Sequence, residues 1–194
     1  MFSGDPSKGL CWWVELRLTV VRSERLTNRF FIAVAHIDAL QIEYSPWFTD
    51  HEQNGLIDTA KELGVAIVAY SPLGKGMLTG KFQSTSDFAD DDVRKTIPRF
   101  NDENMKLNMR IVDEFRKLAD KKGCKPSQLA LAWVIARGAI PIPGTKSAER
   151  LEENFGSTDI ALSEDELMEI RTLIEEAKPQ GARYGLFSVL LLRD

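Results

Sequence analysis

With 194 residues, 43% of them hydrophobic and 28% charged, the chain has enough material for one good-sized domain with a buried core. A formal net charge of -4 and a pI near 5.4 offer no basic field to a polyanion, so neither a nucleic acid nor an anionic membrane is an expected partner. Cys11 and Cys124 stand far apart with no CxxC pair, which excludes a disulfide framework and a cysteine zinc site and fits a reducing, cytoplasmic location; no apolar run approaches the roughly 20 residues of a membrane span.

The first 36 residues differ in pattern from the rest of the chain. Asp5 and Lys8 ahead of "CWWVELRLTVV" lack the shape of a signal peptide, and the strand-like alternation around Val14 to Val20 has no clear partner unit. From Ile37 the pattern becomes strand, loop, amphipathic helix. "IDALQIEYS" reads as a strand ending near Gln41 to Tyr44, and "NGLIDTAKELG" as a helix stopped by Gly64. "VAIVAYSPL" is a continuous apolar run of the kind buried on both faces of a parallel sheet. The polar stretch from Gly74 to Asn104 is too long for a simple connector and reads as a functional flap or a partly disordered loop.

Over 102–121, Leu107, Ile111, Phe115 and Leu118 recur at helical spacing, with Gly123 as the stop. "KPSQLALAWVIARG" is a helix with Pro126 in its first turn and Gly138 at its end. "AIPIPGT" supplies a third strand, and a short helix over 147–155 comes next. "LSEDELMEIRTLIEEA" opens on a Ser163 and Glu166 capping box and carries Leu167, Ile170, Leu173 and Ile174 on one face. This alternation argues for an α/β protein with a parallel sheet. The last ten residues are hydrophobic without a cap or turn, and no internal repeat is present.

"PIPGTKSAERLEENF" concentrates the chemistry. A strand ending at Pro143 and a helix starting near Ser147 would set the open N–H groups of the helix beside Lys146, with Arg150 about one turn on, which makes an anion pocket. Taken alone, charged residues at a helix start are usually solvated, and a Tyr after a buried strand is usually core. "GKGMLTGK" is not a phosphate-binding P-loop, since three residues rather than four separate Gly76 from Gly80 and Phe82 follows Lys81 where Ser or Thr is needed.

"ALQIEYS", "GVAIVAYSPLGKGMLTGK", "SQLALAWV" and "PIPGTKSAERLEEN", in that order, resemble the C-terminal half of an aldo-keto reductase, an NADPH-dependent (β/α)8 TIM-barrel enzyme. The resemblance spans about 37–183 and is closest to the branch of pyridoxal reductase-like and auxin-induced-like proteins. It divides the chain into an atypical segment 1–36, a half-barrel 37–183 and an atypical tail 184–194. It implies that the Gln41 amide binds the nicotinamide carboxamide and that Tyr70 stacks under the ring. Ser71, Leu73 and Gly74 would wrap the pyrophosphate. Lys146, Ser147 and Arg150 would clamp the 2′-phosphate, and Glu153 and Asn154 would contact the adenine.

The family's catalytic set of Tyr, Lys, Asp and His belongs to the first half of the barrel. His36 and His51 match none of its positions and read as surface or loop histidines; Tyr44, Tyr70 and Tyr184 also fall outside it, so no catalytic residue and no metal cluster are expected here. Two readings are open. One is a reductase of aldehydes and ketones, truncated in this chain or misjoined in its gene model. The other is an inactive NADPH-binding or interaction remnant. Three parallel strands cannot close a barrel, so open strand edges, an uncovered inner face and self-association are expected.

Overall fold

The computed structural model describes residues 37–184; the expectations for the N-terminal 36 residues, including Cys11 and His36, and for 185–194 lie outside them. β1 (Ala39–Glu43) is followed by a single-turn α1 (Asp50–Gln53) and by α2 (Leu56–Glu62). β2 (Ala66–Tyr70) leads through a long irregular stretch to α3 (Asp102–Lys122) and α4 (Pro126–Ala136). β3 (Ala139–Pro141), two residues shorter than the expected end at Pro143, precedes α5 (Ala148–Phe155) and α6 (Glu164–Glu176).

The three strands form one parallel sheet in the order β1-β2-β3, as expected for consecutive strands of a β/α barrel. Gln41 pairs with Val68 and Val68 with Ile140, while Glu43 pairs with Tyr70. Successive side chains alternate faces. Ile42, Ile67, Ala69 and Ala139 point to the helices and are buried with Ile57 and Ala60 of α2 and Leu129, Trp133 and Val134 of α4. The other face carries Gln41, Glu43, Val68, Tyr70 and Ile140. Ile140 is 56% exposed and Ile142 43%, so beside β3 this face meets solvent. Among the described residues β1 and β3 are both edges.

The expected Gly123 stop and the Ser163 and Glu166 box are present, and Asn101 adds a cap beyond those expected. Asn101 accepts from the Asn104 N–H at 2.8 Å to open α3, and Gly123, at φ 74°, ends it by returning its N–H to Ala119 and Asp120. Ser163 and Glu166 form the reciprocal box that opens α6. The apolar stripe of α3 is rotated from the one its sequence suggests: Leu107 is 44% exposed, whereas Met105, Asn108, Met109 and Val112 join Ile111 and Phe115 inside.

The stretch after β2 is ordered, not a disordered loop. It is built from short 3-10 turns, Gly74–Thr79, Thr85–Asp87, Val93–Thr96 and Pro98–Phe100, which bury Met77, Leu78, Phe88, Ile97 and Phe100. Arg94 holds them together. Its guanidinium lies against both the Phe82 and Phe88 rings at 4.2 and 4.3 Å, pairs with Asp92 at 2.5 Å and donates to the Lys75 carbonyl at 2.9 Å. No helix among the described residues is long and apolar enough to cross a membrane, and no cluster there could hold a metal ion.

Candidate functional site

The C-terminal ends of β1 and β2 carry Gln41, Glu43 and Tyr70 on the sheet face away from the helices. Gln41 is exposed, Tyr70 is half-buried and Glu43 is only 2% exposed. From Tyr70 the chain enters a tight turn. Ser71 (φ 50°) and Lys75 (φ 57°) are the only non-glycine residues of the described chain in the left-handed region, and they bracket Leu73 and Gly74. Such backbone costs about 1–3 kcal/mol per residue and concentrates where function requires it. Leu73 (φ -99°, ψ 17°) followed by left-handed Gly74 has the backbone alternation of an anion-binding nest, with the Gly74 N–H itself donated to the Ser71 carbonyl at 2.9 Å. Gly74 is required sterically as well: a Cβ there would stand 2.9 Å from the Trp47 Cβ.

The second anion-ready feature is the start of α5. Ser147 is its N-cap, accepting from the Arg150 N–H at 3.4 Å, while Thr145 Oγ1 accepts from the Ser147 N–H at 3.1 Å. Lys146 and Arg150 are exposed beside this start, so a cationic pair and a positive helix end coincide. Farther along the helix, Glu153 is tied down. Its carboxylate accepts from the Ser127 hydroxyl and from Lys125 Nζ (2.6 Å), fixing α5 to the start of α4. Burial pushes the Glu153 carboxyl up, but those two hydrogen bonds outweigh it and hold it below the ordinary value. Asn154 is buried, and its carbonyl accepts from the Ser157 hydroxyl at 2.6 Å.

Sequence reasoning missed the residues that cover the inner face of β1 and β2. Arg183 Nη2 donates to the hydroxyls of Tyr70 (3.0 Å) and Tyr184 (2.9 Å), and those two hydroxyls lie 3.0 Å apart. Arg183 Nε stands 2.7 Å from Glu43 Oε2, a close charge contact although off the hydrogen-bond direction. Burial disfavours the Arg183 cation, but Glu43 and the tyrosines more than offset this, raising its pKa. The Arg183 plane also lies on Phe48 at 4.3 Å and on Tyr184 at 4.6 Å. Lys75 Nζ sits 4.5 Å over the Tyr184 ring and joins this cluster to the turn after β2. One signal was available, since Glu43 lies two residues from Gln41 and so shares its face. Nothing local marked Arg183.

His51 is a half-buried residue of α1, not a surface or loop histidine: its ring packs edge-on against Phe48 at 5.3 Å. Burial, then the Arg183 charge, lowers its pKa. The Tyr44 hydroxyl donates to Glu52, which Arg137 Nε also reaches at 3.2 Å, and burial followed by that bond raises the Tyr44 pKa. The Tyr70 pKa is raised too, by burial and then by its bond to Tyr184.

Comparison with known proteins extends this geometry. A sequence model of the Aldo/keto reductase family matches residues 31–175. An aldo-keto reductase of Gibberella moniliformis is 52% identical over 155 residues, which cover 79% of this chain and 47% of that protein. The NADP(+) aldo-keto reductase yakc of Schizosaccharomyces pombe is 41% identical over 162 residues, covering 81% and 48%. Among solved structures, the glycerol dehydrogenase of Gluconobacter oxydans superposes with a TM-score of 0.66 at 26% identity, over 80% of this chain and 47% of its own. The chain spans about half the length of the curated relatives it matches.

Proposed function

The chain belongs to the aldo/keto reductase family, and from that membership we propose that residues 37–184 form the NADPH-holding part of an oxidoreductase that reduces aldehydes or ketones. The observation that carries this reading is the strained turn bracketed by Ser71 and Lys75. Its backbone at Leu73 and Gly74 has the alternation that suits anionic oxygens, and it lies directly beyond Tyr70, which shares a sheet face with Gln41. A dinucleotide phosphate fits that arrangement because it presents a pyrophosphate and a second, separate phosphate to two separate anion sites.

In this reading the backbone of Ser71, Leu73 and Gly74 wraps the pyrophosphate, and Gly74 leaves the space that a Cβ would fill. Lys146, Ser147 and Arg150 hold the 2′-phosphate at the start of α5, where charge-assisted bonds add to the helix dipole. Gln41 offers both a donor and an acceptor to a carboxamide, and the Tyr70 ring forms a floor for the nicotinamide. Glu153, oriented by Lys125 and Ser127, and Asn154 border the adenine. When bound, NADPH supplies the hydride.

A second reading, a cofactor-binding chain without turnover of its own, is favoured by the state of the tyrosines. The Tyr44 hydroxyl is bound to Glu52 and the Tyr70 hydroxyl to Arg183 and Tyr184, and burial raises the pKa of both, so neither stands free to protonate a substrate. We therefore assign cofactor binding to this chain alone and carbonyl reduction to the complete family fold. Calorimetric titration with NADPH, NADH and 2′,5′-ADP tests the assignment. NADPH should bind more tightly than NADH and 2′,5′-ADP should bind measurably; equal affinity for the two dinucleotides would refute it.

A further inference from the structure

Beyond α6 the chain is clamped against α3 and the turn that precedes it. The Gln180 N–H donates to Asn108 Oδ1 at 2.7 Å while Asn108 Nδ2 donates to the Gln180 carbonyl at 3.0 Å. The Arg99 N–H donates to the Ala182 carbonyl at 3.2 Å. Gly181, at φ 90°, makes the close approach possible, since a Cβ there would lie 2.8 Å from the Arg99 Cα. This strap sets Arg183 and Tyr184 on the ends of β1 and β2.

We propose that Arg183 is a positioning residue for the nicotinamide end of the cofactor, acting by locking the Tyr70 ring in place as its floor. The proposal rests on the NADPH reading above. Tyr70 sits at a strand end beside a strained turn, and its single polar atom is its one directional tether. That atom is held by Arg183 Nη2 and by the Tyr184 hydroxyl, both at 3.0 Å. Arg183 is immobilised in its turn: it is stacked on Phe48 and Tyr184 and drawn to the buried carboxylate of Glu43. Because Glu43 and Tyr70 are register partners, one guanidinium bridges neighbouring strands and fixes both side chains. A floor held before binding spares the ordering cost that a free ring would add on binding. The strap reaches the pyrophosphate turn as well, through Lys75 Nζ and the Arg183 carbonyl at 3.5 Å.

The test compares NADPH with 2′,5′-ADP, which lacks the nicotinamide, by calorimetry on the full chain and on Arg183→Ala, Tyr70→Phe and the double variant. Arg183→Ala should weaken NADPH by about tenfold while leaving 2′,5′-ADP unchanged, an effect in the range measured for coupled contacts. Tyr70→Phe, which keeps the ring and removes the tether, should give the same nicotinamide-selective loss, and adding Arg183→Ala to it should give little more. If Arg183→Ala loses its near-ultraviolet circular dichroism, Tyr70→Phe alone carries the test. Equal losses for both ligands, unchanged NADPH affinity, additive losses in the double variant, or wild-type NADPH binding no tighter than 2′,5′-ADP would each overturn the proposal. Failure of the wild type to bind 2′,5′-ADP would instead refute the cofactor reading on which it stands.

Discussion

Individual side chains divide the proposed site into parts that can be tested separately. Replacing both Lys146 and Arg150 by Ala should erase most of a preference for NADPH over NADH, because each charge-assisted phosphate contact contributes roughly 1.5 to 3 kcal/mol. Titration of both dinucleotides against the double variant measures this, and an undiminished preference would reduce the motif to a solvated helix start. Gly74→Ala probes the turn. It combines a left-handed backbone with a Cβ 2.9 Å from Trp47, whereas Gly64, also left-handed, has nothing within 4 Å of its Cβ position. Gly64→Ala should therefore cost about 1 kcal/mol from the backbone alone. Gly74→Ala should cost about 1–3 kcal/mol more from overpacking, read as the difference between two urea titrations. The placement of Lys146, Ser147 and Arg150 at a helix start was legible in the sequence because the residues are neighbours along the chain. The Arg183, Tyr70 and Glu43 cluster was not, because it joins positions more than 110 residues apart that only the fold brings together.

Among the elements, the helices with explicit caps were the legible ones. Gly123, Pro126 and the Ser163 and Glu166 pair each supply local stop or start chemistry that needs no tertiary context. The single turn of α1 has no such periodicity, and the 3-10 turns between Gly74 and Phe100 owe their order to Arg94 packed against the paired Phe82 and Phe88 rings. The stripe on α3 was misread because buried Asn108 is polar, yet it is needed inside to hold Gln180. The seam between α3 and α6 carries a pH prediction. The Lys122 ammonium, 2.8 Å away, and then the Ser163 N–H hold the Glu166 carboxyl below its ordinary value of 4.5. Because the folded value lies below the unfolded one, the unfolded chain binds more protons between the two. The stability contributed by Glu166 is thus complete above about pH 4.5 and is lost as the pH falls through the folded value. Glu166→Gln should flatten that part of the acid limb in urea titrations from pH 3 to 7; an unchanged limb would mean that solvent screens the pair.

At the level of the whole molecule, neither Tyr44 nor Tyr70 matches a catalytic position that the resemblance implies, and both hydroxyls already have protein partners, so carbonyl reduction by this chain alone should be negligible. A well-placed general acid contributes about 10²- to 10⁴-fold to such steps. NADPH consumption with a panel of aldehydes at high protein concentration measures this, and turnover of about 1 s⁻¹ or faster would contradict it. Self-association is the second expectation. Among the described residues the strap reaches the sheet beside Glu43 and Tyr70, while Ile140 and Ile142 are exposed and β1 and β3 are edges. Light scattering should show a size that grows with protein concentration, and a monodisperse monomer would show that the open face is covered.

The strand count gives that growth a shape. The two edges of the described sheet are unlike, polar Gln41 belonging to one and Ile140 to the other, so copies adding edge to edge would join head to tail. The described residues supply three strands, short of the eight staves of the family's barrel, so those strands close no ring within one copy. Joined head to tail, copies close into a ring where the rotation between them permits and otherwise extend as an open filament, two outcomes that light scattering separates.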